Sequence, residues 1–121
     1  MNKNVKKMWV EALQRPDTEK GWYPQGRGWL CRQNVSLDGG EEPHLYGDAF
    51  CCLGVLTNLA ILSGAECGTR PHNPWGPNDW PTEAVQSWAG LTNADLAALV
   101  RMNDTSRHNF EEIARYIKAS L

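Results

Sequence analysis

Apolar residues recur at three- and four-residue spacing in Val5, Met8, Trp9, Ala12 and Leu13. That pattern predicts an amphipathic helix over roughly residues 3–15, closed by Pro16. Residues 16–26 hold Pro and Gly and read as loop. Gly28 to Gln33 predicts a short strand, Asp38-Gly39-Gly40 a turn, and His44 to Phe50 a partner strand. From Cys52 to Ser63 the chain is apolar almost all round, which predicts a buried central helix ended by Gly64. Gly54 lowers helix propensity there, so another backbone is expected to pack close to it.

Residues 64–80 hold three prolines and three glycines and read as a long loop. Pro81 suits the first turn of a helix running to Trp88, with Gly90 beyond it. Thr92 followed by Asp95 resembles a capping box that opens a helix through Met102. Asn109 followed by Glu112 repeats the signal ahead of Phe110, Ile113, Ala114 and Ile117, a last amphipathic helix. The predicted fold is α+β: four to five helices around a short β-hairpin, in a single domain. Its expected core is Trp9, Leu13, Leu30, Phe50, Cys52, Leu53, Val55, Leu56, Leu59, Val85, Trp88, Leu96, Leu99, Phe110, Ile113 and Ile117.

Composition narrows the function classes. The chain is 41% hydrophobic and 21% charged with a formal charge of −2, an ordinary globular balance with no general attraction for nucleic acid or anionic membrane. The basic N-terminal stretch has no apolar core of a secretory signal, and no run is long enough to span a membrane. A cytoplasmic location is expected, with Cys31, Cys51, Cys52 and Cys67 as thiols. Six tryptophans stand out, and Trp22, Trp29, Trp75 and Trp80 fall in or beside Gly/Pro-rich segments.

Several motifs occur together in a fixed order. They are Trp9 to Leu13, Gln25 to Leu30, Phe50-Cys51-Cys52-Leu53-Gly54-Val55-Leu56, Trp88 to Leu91, Met102-Asn103-Asp104, and Phe110 to Ile117. In these the chain resembles a family of small uncharacterised proteins of phages and bacterial genomes. It departs by insertions around 16–24, 34–45 and 66–78. The resemblance implies a cytoplasmic, phage-associated accessory protein, in the host cell cytoplasm if phage-encoded, and implies no particular activity.

Five constellations bear on chemistry. Cys51 or Cys52 at a helix N-terminus would have a lowered thiol pKa, with His72 or His108 downstream as a base. Their flanks Phe50 and Leu53 favour buried core residues instead. No Cys-x-x-Cys or His-x-x-x-His pair is present, so no metal is expected. The two C-terminal helices read as antiparallel core helices, and no DNA binding is expected, because Glu111 and Glu112 would open the reading helix. Asn103 and Asp104 suit a turn, a cap for the helix near residue 109, or contacts to a ligand amide or hydroxyl. Trp22, Tyr23, Gln25, Arg27, Arg70, Trp75 and Trp80 combine stacking faces with guanidinium groups, the chemistry of a small nucleotide pocket.

These readings leave two classes. The favoured one is a non-catalytic accessory protein that binds a small ligand, such as a nucleotide immune signal, or a host defence protein. The alternative is a small cysteine-dependent hydrolase or transferase using Cys51 or Cys52. No cofactor is expected, and a homo-oligomer is compatible with either. The loops around 22–28 and 70–80 are expected to line one surface.

Overall fold

The structure is a computed structural model and describes residues 1–17, 19–37, 46–67 and 80–121, with backbone only at 34, 36 and 46. Among these residues are five α-helices, one π-helical turn and a two-stranded antiparallel sheet, an α+β fold. In order they are α1 (Lys3–Leu13), β1 (Cys31–Ser36), β2 (Tyr46–Phe50), α2 (Cys52–Leu62), α3 (Glu83–Ala89), α4 (Asn93–Val100), the π-turn (Arg101–Thr105) and α5 (Phe110–Ser120).

Local chemistry accounts for most helix ends. The Asn2 side chain accepts the N–H groups of Asn4 and Val5 at 2.9 and 3.1 Å, opening α1. That helix stops at Leu13, earlier than residue 15, because Pro16 disfavours helical backbone at Arg15. Pro81 lies outside α3, whose cap is Thr82. Both expected capping boxes, Thr92 with Asp95 and Asn109 with Glu112, are present. Helix α4 ends at Val100, short of the expected Met102, where the chain widens into the π-turn.

Helix α2 is the centre of the molecule. Cys51 caps it, its sulfur accepting the Gly54 N–H at 3.3 Å. The Leu30 carbonyl accepts the Cys51 N–H at 3.2 Å, so the end of the 24–30 segment lies directly on the start of the helix. A Cβ at residue 54 would stand 1.7 Å from that carbonyl oxygen. Only glycine fits there, which is the close backbone approach expected from its place in an apolar helix. Trp9, fully buried, donates its indole N–H to the Cys52 carbonyl at 2.9 Å and ties α1 to the same turn.

The first strand sits later than its sequence pattern predicts, at 31–36 instead of 28–33. The second spans Tyr46–Phe50, inside the expected 44–50, and residues 44 and 45 lie outside the described residues. Gly28 has a φ of +89°, which breaks the extended geometry a strand through it would need. Cys31 pairs with Phe50 and Arg32 with Ala49, then a bulge precedes Val35 opposite Gly47. The other edge of Phe50 is also used. Its N–H donates to the Pro24 carbonyl and its carbonyl accepts the Gly26 N–H, both at 2.7 Å. Residues 24–26 therefore act as a short third rung beside β2.

One hydrophobic core joins α1, α2, α3, α4 and α5. Of the expected core positions, Phe50, Leu59 and Trp88 lie at its margin, half-buried, and the others are buried. The apolar face of α5, Phe110, Ile113, Ala114 and Ile117, is wholly buried.

Candidate functional site

A cleft of about 660 Å³ opens between four pieces of the chain. They are the end of α1 with residues 14–17, the 22–26 segment, the hairpin face bearing Arg32, Val35 and Ala49, and Asn109 to Glu111 at the start of α5. Its size falls within the range of small-molecule sites. Trp22, Tyr23 and Pro24 supply its flat apolar surfaces, and Arg15, Arg32, Asp17 and Glu111 its charges.

The walls are anchored from behind. The Tyr23 hydroxyl accepts the Asn58 side-chain N–H at 2.6 Å, and its ring meets Phe50 edge-on with centroids 5.1 Å apart. Arg15 donates to the Gly21 carbonyl at 2.6 Å, closing the loop after α1. Arg32 donates from Nε to the Arg27 carbonyl at 3.2 Å, and its guanidinium lies 4.6 Å from the centre of the Trp29 ring.

Behind the cleft, Asn103 is fully buried and both ends of its amide are used. Its oxygen accepts from Gln25 Nε2 at 3.0 Å and from the Cys52 N–H at 3.2 Å. Its nitrogen donates to the Gly26 carbonyl at 2.9 Å and to Asp104 Oδ1 at 2.7 Å. Asp104 Oδ1 also accepts the Gly28 N–H at 2.9 Å, and Gln25 Nε2 donates to the His108 carbonyl at 2.8 Å. This network clamps the 25–28 loop to the segment after α4. Asn103 thus caps α2, and the helix that starts near 109 has its own cap in Asn109.

The π-turn closes tightly. The Ser106 N–H reaches the Arg101 carbonyl and the His108 N–H reaches the Met102 carbonyl, both at 2.8 Å. Arg107 between them has a φ of +53°, the left-handed position that glycine usually occupies at a helix end. An arginine there costs about 1 kcal/mol relative to glycine.

The expected site residues divide into groups. Trp22, Tyr23 and Gln25 line the cleft, whereas Arg27, Trp80, Asn103 and Asp104 do not. Trp80 is 39% exposed, at the start of the segment leading to α3. Arg70, Trp75 and His72 lie outside the described residues, so the shared surface expected of the 70–80 loop does too. Arg15 and Arg32 were not among the expected ligand residues. Their only sequence signal is position: Arg15 precedes the proline after α1, and Arg32 alternates with core-facing Cys31.

Neither central cysteine faces solvent: Cys51 is 3% exposed and Cys52 is 1% exposed. Burial pushes the Cys52 thiol well up, and the neighbouring Cys51 and Asp104 add to the effect. Burial, then Asp48, pushes Cys31 up to about 11, and burial, then Glu66, raises Cys67. Among the described residues no three His, Cys, Asp or Glu side chains gather as metal ligands, and no helix is long and apolar enough to cross a membrane. No protein-family model, curated protein or solved structure matches this chain.

Proposed function

We propose that this chain is a non-catalytic binding protein whose cleft takes a small aromatic anion of the nucleotide class. The observation that carries the reading is the convergence of Trp22 and Tyr23 with Arg15 and Arg32 in one cleft of about 660 Å³. Aromatic faces stack on a base, and guanidinium groups pair with phosphate oxygens. Asp17 and Glu111 on the same walls disfavour a bare polyanion and favour a ligand with a neutral, hydrogen-bonding end. The resemblance to phage proteins supports a role as an accessory factor that sequesters such a ligand, a nucleotide immune signal, in the host cytoplasm. The cysteine-hydrolase alternative needs a thiol that substrate can reach, and the burial of Cys51 and Cys52 weighs against it.

Intrinsic tryptophan fluorescence tests the proposal. Linear and cyclic nucleotides are titrated into the wild-type protein, Trp22→Ala and Arg15→Ala. The expected result is saturable quenching by at least one nucleotide at micromolar concentration, with a loss of roughly 5- to 150-fold in Trp22→Ala, the equivalent of one stacking contact. If no nucleotide changes fluorescence or melting temperature, the ligand reading fails, and direct binding to a host defence protein replaces it.

A further inference from the structure

Beside the cleft, the side chains of Arg27 and Arg32 meet main-chain carbonyls where the 26–28 loop touches the chain after the π-turn, and the exposed Arg107 stands in that chain. Arg27 Nη2 donates to the Arg107 carbonyl at 3.4 Å, a long bond. Arg32 Nε donates to the Arg27 carbonyl at 3.2 Å. Arg107 holds the left-handed backbone position that a glycine would occupy without strain. The partners of Arg27 and Arg32 in these bonds are neutral carbonyls, in a chain whose overall charge is −2.

The same junction holds two polar atoms without a partner among the described residues. Arg27 Nε and His108 Nδ1 are both shielded from solvent and make no hydrogen bond to any described residue. Buried polar atoms in a folded protein are almost always paired, so each such orphan calls for a missing acceptor or donor. These two belong to the two strands of chain that the Gln25–His108 and Gly28–Asp104 bonds hold together.

We propose that this junction is an oxyanion site of the phosphate class, built from Arg27, Arg107 and His108, with Arg32 alongside. A tetrahedral oxyanion offers acceptors in several directions. One edge suits the Nε/Nη pair of Arg27 as a bidentate partner, and the remaining oxygens suit Arg107 and His108. Reaching Nε requires the Arg27 side chain to turn, and the long bond to Arg107 offers little resistance. The site adjoins the cleft through Gly26 and Arg32 but does not depend on it. The phosphate is either free or carried by a nucleotide whose base lies in the cleft, and the two sources are separable.

The test is calorimetric titration with pyrophosphate, at low ionic strength, against chloride matched for ionic strength. Wild-type protein is expected to bind saturably in the sub-millimolar range. Arg107→Gly relieves the left-handed strain, so its melting temperature without ligand should be unchanged or higher while pyrophosphate affinity drops at least tenfold. Arg27→Gln should drop similarly; if it fails to fold, Arg107→Gly decides alone. Trp22→Ala should bind pyrophosphate as wild type does, whatever it does to nucleotides. Binding no stronger than the chloride control overturns the site. So does an Arg107→Gly variant that binds within twofold of wild type, or a Trp22→Ala variant that loses pyrophosphate as severely as Arg107→Gly.

Discussion

The side chain of Asn103 caps the helix that Cys52 begins, accepting its N–H at 3.2 Å across 51 positions of sequence. The same amide holds Gln25 and Gly26, so one buried residue fixes the cleft loop, the π-turn and the central helix against each other. Asn103→Ala strands at least the Cys52 N–H and the Gly26 carbonyl. Each buried orphan costs about 1–3 kcal/mol, so a loss of roughly 3 kcal/mol is expected in urea unfolding. A change below about 1 kcal/mol would mean that the network is dispensable.

Gly54→Ala makes the closest clash of any methyl added at a described glycine. Its Cβ would stand 1.7 Å from the Leu30 oxygen, a backbone atom that cannot rotate away. Either α2 or the 24–30 segment must shift, at a cost of roughly 4 kcal/mol or more. Circular dichroism melting should show a protein unfolded or nearly so at ambient temperature. A melting temperature near wild type would contradict the close approach.

Phe110 is 8% exposed and opens the buried face of α5. Phe110→Ala should cost about 3–5 kcal/mol, read from the shift in denaturation midpoint at unchanged slope. A loss of only a few tenths would place α5 on the periphery of the core.

Alkali should destabilise the fold through its buried thiols. The Cys31 thiol is held up to about 11 against an ordinary value of 9.0. The unfolded chain therefore loses this proton first. Stability falls as pH rises through the 9–11 window and is fully retained below it. Cys52 and Cys67 shift in the same direction and steepen the decline. Unfolding free energies measured from pH 8 to 11 should fall less steeply in Cys31→Ala. Identical slopes in the two proteins would show that Cys31 is not responsible. Below the window, Cys52 should resist alkylation in the native state, and mass spectrometry after brief iodoacetamide treatment checks this.

The readable part of the fold was local. Helix caps such as Asn109 with Glu112 carry their own side-chain partners, three residues apart, and could be seen in sequence. Gly54 was readable as a close approach because an apolar helix gives glycine no other reason to be there. Asn103 was readable as a turn, cap or ligand-contact residue but not as the centre of a buried network, since its partners lie far upstream and no short-range signal marks them. The delayed start of β1 was hidden for a similar reason: the left-handed Gly28 that precedes it is held by Asp104, 76 positions downstream. Trp22, Tyr23 and Gln25, which composition singled out, line the cleft, whereas the separation of Arg27 from it follows from how the loop is clamped.

Phe50 grips the Pro24–Gly26 rung through two main-chain hydrogen bonds, and the Tyr23 and Gln25 side chains anchor the same loop. None of these bonds involves the side chain at position 22. Related chains would be free to exchange that residue, and with it the ligand they prefer, while keeping the same scaffold. Diversification at this loop would then proceed by single substitutions, none of them passing through an unfolded intermediate sequence.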